Sequence, residues 1–177
     1  LEPSQSERNM IDLVCENFDN VILVYNGANT MELQIADEYE QIKSVLWVPG
    51  TGQNGFNALG EILSGEINPS AKTADTFVRD LTATPSWNNF GDYEYDNMDE
   101  FMISESDPYV PGALPHFVNY TDGIYIGYKF YETAAEEGLI EYEDLVQYPF
   151  GYGLSYTSFT QEMGVMTADE DGNIRFD

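Results

Sequence analysis

The sequence predicts an α/β fold built on a mostly parallel, doubly wound sheet of the flavodoxin or Rossmann type. Three observations carry that prediction. "NVILVYN", a continuous β-branched run, reads as a strand buried on both faces, and "IKSVLWV" as a second buried strand. Helical patterns alternate with them along the chain. The connections between are short, which implies parallel strands joined by right-handed crossovers.

The elements follow in order. Ser4 and Glu7 have the spacing of a capping box ahead of Met10, Leu13 and Val14 at helical period, so a first helix is expected here. The first strand comes next, then a short helix in "NTMELQIADEY" and the second strand. A glycine-rich turn leads into a third helix, "GFNALGEILSG", stopped by Gly65 and the turn "NPS". This is about half of a doubly wound sheet, beginning on a helix as though a strand preceded it. From Thr82 to about Asn119 prolines, glycines, acids and rings mix without steady period, a texture that is usually functional or pinned by a neighbour. "GIYIGYKFYETAAEEGLI" then predicts a strand, alternating Ile124 and Ile126 with Tyr125, and a short helix closed by Gly138. The tail "TADEDGNIRFD" has the look of a hairpin turn.

The chain of 177 residues carries 32 acids against 6 bases, a net charge of −26. Such a surface repels nucleic acid and anionic membranes, so neither is expected as a partner. It fits a salty or extracellular setting, and leaves the compartment open. An apolar share of 42% and an aromatic share of 14% argue for a packed domain. No segment is apolar for long enough to span a bilayer, so no membrane segment is expected. Cys15 is the single cysteine; among helix-spaced apolar residues it reads as a small core side chain rather than a nucleophile.

Several motifs admit a catalytic or binding reading beside a plainer one. "GTGQNG", Gly50 to Gly55, matches G-x-G-x-x-G between a strand and a helix and could seat a pyrophosphate. Phe56 and Asn57 stand where a P-loop needs Lys and Ser or Thr, and Asp75 is misplaced for a ribose contact, so a tight glycine turn is favoured. The acids between Asp92 and Asp107 lack the spacing of a calcium loop and read as a solvated face; "DEDGN" reads as a turn. No metal and no cofactor are expected. His116 has no second histidine near it and reads as a structural hydrogen-bonding group. "NYT" at Asn119 is a formal glycosylation sequon. Rings that could stack on a sugar include Trp47, Trp87 and the tyrosine-rich C-terminal third, although most rings in a domain are core.

Three stretches together resemble one family. "WVPGTGQNGFNALGEILSGEINPSAK", "YTDGIYIGYKFYE" and "YPFGYGLSYTSF" are similar, in the family's order, to segments of glycoside hydrolase family 3, the β-glucosidase group. "FDNVILVYNGANTMEL" matches the strand and helix before them, and the resemblance spans most of Trp47 to Phe159. Thr51, Ala71, Asp122 and Lys129 depart from the family's usual residues, and the long acidic and aromatic insertion resembles a bacterial subgroup.

The resemblance implies a three-layer α/β/α sandwich over about residues 1–160, with 161–177 a linker and the start of a following fibronectin-III-like β-domain. It implies a retaining β-glucosidase acting on a β-glucoside-like carbohydrate. Its nucleophilic aspartate lies on a separate (α/β)8 barrel, and its acid/base glutamate in a loop ahead of the first helix here. No catalytic residue is therefore assigned within this chain, which is expected to be inert alone. Trp47, Gln53, Asn54, Trp87 and Tyr152 remain candidates for contact with substrate or a neighbouring domain. Alternatives are a non-catalytic carbohydrate-binding or structural module and, less favoured, a nucleotide- or flavin-binding α/β domain.

In "YPFGYGLSYTSF" the resemblance favours a scaffold role, with Gly151 and Gly153 bending the chain while its rings anchor it. Gly153→Val should then lower the thermal midpoint, and unchanged melting would count against that role.

Overall fold

The computed structural model describes residues 2–87, 89, 93–110 and 112–175. Its first helix, α1 (Gln5–Asn17), begins with the predicted capping box: the Ser4 hydroxyl accepts from the Glu7 N–H, and the Ser4 N–H donates to the Glu7 carboxylate at 2.7 Å. That bonding holds the Glu7 carboxyl below the usual range. Strand β1 (Val21–Tyr25) follows, then one turn of helix α2 (Ile35–Glu38), then strand β2 (Ile42–Trp47). The two strands pair in parallel, Leu23 opposite Val45 and Tyr25 opposite Trp47, as the short helical crossover requires. Helix α3 (Phe56–Ser64) ends at Gly65, whose φ of 82° lies in the left-handed region that closes a helix.

Beyond α3 the chain lays down a second pair. Strand β3 (Phe77–Val78) takes its partner, β6 (Val146–Tyr148), antiparallel from far along the sequence. Between them in sequence lie β4 (Tyr93–Glu94) and β5 (His116–Phe117), which pair with each other inside the irregular segment, then α4 (Tyr128–Glu136) and α5 (Tyr142–Leu145). A hairpin of β7 (Thr167–Ala168) and β8 (Ile174–Arg175) closes the chain, with Asp169 accepting from Asp171 and Asn173 in its turn.

Two core clusters result. Ile11 and Cys15 of α1 and Ile35 of α2 pack with Val21, Leu23, Tyr39 and Ile42 on one face of the parallel pair. Cys15 is thus the small core side chain expected, and burial, with Asp12 nearby, pushes its thiol up. The second cluster joins Val78, Tyr131 and Val146, with Phe130, Ile140 and Leu145 around them.

Phe77, 1% exposed, links the two pairs: its ring meets Trp47 edge-on at 5.0 Å and Tyr148 edge-on at 6.1 Å. Polar contacts run beside it. Arg79 bonds the Asp37 carboxylate at 2.7 Å and the Glu143 carbonyl at 3.1 Å, while Gln147 donates to Leu33 O and to Asp37, each at 3.0 Å. These tie α2 to the β3–β6 pair.

The aromatic run near the C-terminus is held by residues 68–73. Asn68 accepts from the Tyr156 N–H at 2.9 Å and from the Ser155 hydroxyl, and donates to Thr157. Thr73 exchanges backbone bonds with Gly151 and Tyr152, and its hydroxyl donates to Pro149 O at 2.6 Å. Lys72 reaches the Gly153 carbonyl. Gly151 makes the turn, with φ of 77°. Gly153 serves a different end from the bend expected: a Cβ there would sit 2.4 Å from the Ala71 carbonyl oxygen, so only glycine permits the two segments to approach.

Four expectations are corrected. Strand β1 is not buried on both faces; Ile22 and Val24 are 49% and 37% exposed, because α1 and α2 cover only the Val21 and Leu23 side. In "NTMELQIADEY" only Ile35–Glu38 is helical, with no side-chain cap at Gln34. The strand expected at Ile124–Ile126 does not form: Gly123 and Gly127 on either side take φ of 57° and 59°, which turn the chain away from an extended path, and both isoleucines are well exposed. His116 is exposed on β5, and its side chain makes no hydrogen bond to a described residue. The architecture is α/β, with four two-stranded sheets among the described residues. No described helix is long and apolar enough to cross a membrane.

Truncating Phe77→Ala should cost about 3–5 kcal/mol, the usual penalty for a fully buried aromatic, read from the shift in denaturation midpoint. Asn68→Ala should cost about 1 kcal/mol by removing exposed bonds. Proteolysis should then cleave first within 153–159, the segment that Asn68 holds.

Candidate functional site

Parallel strands place their carboxyl ends on one side, and in open α/β sheets that side is where ligands bind. Here it carries the loops after β1 (26–30) and after β2 (48–55). Asn26 bridges them by donating to the Val48 carbonyl at 2.7 Å. Gly52 takes φ of 61° and starts the turn into α3. Gly55 lies so close to Thr51 that a Cβ would be 2.3 Å from its carbonyl oxygen, and its N–H bonds that oxygen at 3.1 Å. Gly52 and Gly55 of "GTGQNG" are therefore accounted for by a tight strand-to-helix turn, while a side chain at Gly50 would meet open space. Asp75, the acid a dinucleotide reading would need, lies in the loop before β3 and lines a different cavity.

Gln53 and Asn54 are exposed on the turn ahead of α3. Trp47, at the end of β2, is half-buried; its indole N–H donates to the Gly27 carbonyl at 2.8 Å and its ring packs on Phe77. Tyr152 lies 5.4 Å from Tyr148, ring to ring, so the series Trp47, Phe77, Tyr148, Tyr152 runs as one aromatic chain. Burial, with Asp37 nearby, raises the Tyr148 phenol. Trp87 belongs elsewhere. It is 53% exposed in the turn after Thr84, on the irregular segment. The structure thus joins Trp47 to Tyr152, sets Gln53 and Asn54 on the adjoining turn, and leaves Trp87 on a separate segment.

Among the described residues four carboxyls are held below their ordinary range, and each has a local structural cause. Glu7 caps α1, Asp80 accepts from Thr82, Asp107 accepts from Val110 and Tyr109, and Asp169 accepts from Asn173. A carboxyl that donates a proton to a leaving group needs the opposite shift, so these four are caps and turns rather than acids for catalysis. Asp92, at the edge of the acidic stretch, lies outside the described residues. Among the described residues no group of three His, Cys, Asp or Glu side chains could hold a metal ion.

Two cavities that the sequence did not signal adjoin the irregular segment. One, of about 380 Å³, is lined by Phe130, Ala134 and Leu139 among others. The second, of about 320 Å³, lies between the β3 region, the start of α4 and residues 118–122. Only tertiary contact brings its lining together.

The chain matches the model of the glycosyl hydrolase family 3 C-terminal domain over residues 1–128. It is 36% identical to beta-glucosidase A of Butyrivibrio fibrisolvens over 90% of its length, and 32% identical to thermostable beta-glucosidase B of Acetivibrio thermocellus over 88%. It covers only 16% of either relative. The solved structure of a beta-glucosidase from Paenibacillus barengoltzii superposes on 94% of the chain with a TM-score of 0.68 at 29% identity, using 15% of that protein. The same stretches that hold this fold together, the turn into α3, the 68–73 segment and the aromatic run, are those that resemble the family, and the chain belongs to glycoside hydrolase family 3, as its C-terminal domain.

Proposed function

We propose that this domain forms one wall of the active-site cleft of a retaining β-glucosidase-type enzyme. The whole enzyme would hydrolyse terminal β-glycosidic bonds of glucoside-like carbohydrates. Retention needs a carboxylate nucleophile and a second carboxyl that acts first as acid and then as base, about 5 Å apart across the bond. On this reading neither comes from this chain: an (α/β)8 barrel supplies the nucleophilic aspartate, and a loop outside the chain supplies the glutamate. The sheet belongs to a three-layer, doubly wound sandwich over residues 1–160, and residues 161–177 lead into a fibronectin-III-like domain.

The observation that carries the reading is the placement of Gln53 and Asn54. Both are exposed on the turn at the carboxyl end of the parallel pair, where an open α/β sheet meets its ligand. Trp47 and Tyr152 support that edge through the aromatic chain, and we assign them to positioning it. Trp87, on its separate segment, is assigned to contact with a neighbouring domain. The net charge of −26 disfavours a nucleic-acid partner.

The test compares the 177-residue chain with the full-length protein on an aryl β-glucoside. The chain alone should be inert and the full-length protein active. In the latter, Gln53→Ala with Asn54→Ala should lower kcat/KM about tenfold, the loss expected when one or two polar contacts go, with the melting midpoint unchanged. Hydrolysis by the chain alone, abolished by changing one of its own carboxylates, would overturn the assignment.

A further inference from the structure

The 320 Å³ cavity beside β3 has a wall whose hydrogen-bonding capacity the fold does not use. Tyr131 of α4 is 5% exposed and lines it, yet its hydroxyl bonds no described residue. Burial pushes that phenol up to about 12, so it stays a neutral O–H donor at physiological pH. Thr76, next to β3, lines the same cavity, and its hydroxyl is closed to solvent without a partner. Buried polar groups in folded proteins are almost always paired. The Thr76 hydroxyl is the one closed to solvent, while the Tyr131 hydroxyl, at the end of a buried ring, is left open at the cavity with no protein partner, which marks a place that something else completes.

The opposite rim is polar as well. Asp75, Asp122 and Asn119 are part of the lining, and no hydrogen bond or ion pair to a described residue engages their side chains. Tyr120, 84% exposed, offers a ring at the mouth. No lysine or arginine lines the cavity, which excludes phosphate and other anions. Carboxylates that only accept, a phenol that donates and an amide that does both suit a neutral ligand carrying several hydroxyls. A volume of about 320 Å³ is at the small end of the range for ligand cavities, which begins near ~300 Å³.

From these we infer that the cavity between β3, α4 and residues 118–122 binds a single sugar unit. Its hydroxyls donate to Asp75 and Asp122 and accept from Tyr131, with Asn119 and the ring of Tyr120 closing the mouth. The choice of a sugar among polyols rests on the glycosidase reading above; the site itself rests on the cavity and its unpaired groups.

Calorimetric titration of the 177-residue chain with methyl β-glucoside, and with glycerol as the non-sugar polyol, tests the site. Near-UV circular dichroism and melting are recorded on the same samples; if the chain alone lacks a cooperative melt, the full-length protein with its barrel nucleophile replaced takes its place. Saturable binding of the glucoside at one site is expected. Tyr131→Phe removes only the hydroxyl and should weaken binding about fivefold, the worth of one neutral hydrogen bond, without lowering the melting midpoint. Asp122→Ala should weaken binding tenfold or more, as loss of a charged partner does. In the full-length substitute, a variant that retains wild-type binding assigns the heat to the cleft and overturns the inference. No saturable heat with the glucoside, binding of glycerol alone, or a Tyr131→Phe chain that binds normally but melts early would each overturn it too. A failed titration beside intact hydrolysis by the unmodified full-length protein would sink this site and leave the cleft reading standing.

Discussion

The fold depends on one ring. Phe77 sits between the parallel pair and the antiparallel pair, with Trp47 against one edge and Tyr148 beyond the other. Neither pair is stable by itself, because an isolated two-stranded sheet is marginal in water. Each has its own small cluster, Ile11, Cys15 and Ile35 in one, Val78, Tyr131 and Val146 in the other. Phe77 joins them across the sequence, and the bonds of Arg79 and Gln147 to Asp37 tie α2 to the antiparallel pair. Edge-to-face rings add direction to hydrophobic burial, which by itself has none.

A second constraint acts at the far side of the same aromatic chain. Residues 68–73 and 149–157 hold each other through backbone bonds, the two-sided amide of Asn68 and the approach that Gly153 allows. Two of the stretches that resemble the family are thus the two halves of one contact. Their residue choices follow from it: an amide that both donates and accepts, a threonine that does the same, and a glycine where a side chain would collide with a carbonyl. The segment that most readily names the family is a clasp, and it steadies Tyr152 and Tyr148 behind Trp47.

What could be read locally was read correctly. The capping box at Ser4 and Glu7, the stop at Gly65, the parallel pairing of the first two strands and the core place of Cys15 each depend on neighbours within a few residues or on a short crossover. The failures share a different cause. Ile124 and Ile126 alternate like a strand, but Gly123 and Gly127 on either side adopt left-handed backbone that pattern alone does not reveal. The β-branched run of β1 suggested burial on both faces, whereas burial depends on what packs there, and only one face is covered. The turn into α3 that carries the candidates Gln53 and Asn54 was legible from the strand–turn–helix pattern. The cavity around Tyr131 was not, because its walls come from segments far apart in the chain, from Thr30 through Asp75 to Tyr131.

By itself the sequence determined the class of fold, the acidic surface, the places where helices start and stop, and membership of the family, since each follows from residue type, period or short spacing. Tertiary structure alone decided which aromatic rings are structural and which are open. It brought Phe77 between Trp47 and Tyr148, made Gly153 a point of close approach rather than a hinge, and set a buried tyrosine without a hydroxyl partner into the wall of a cavity. The physical reason is range. Capping, turn chemistry and periodicity act over a few residues, whereas close packing and hydrogen-bond satisfaction depend on segments that only the folded chain brings together.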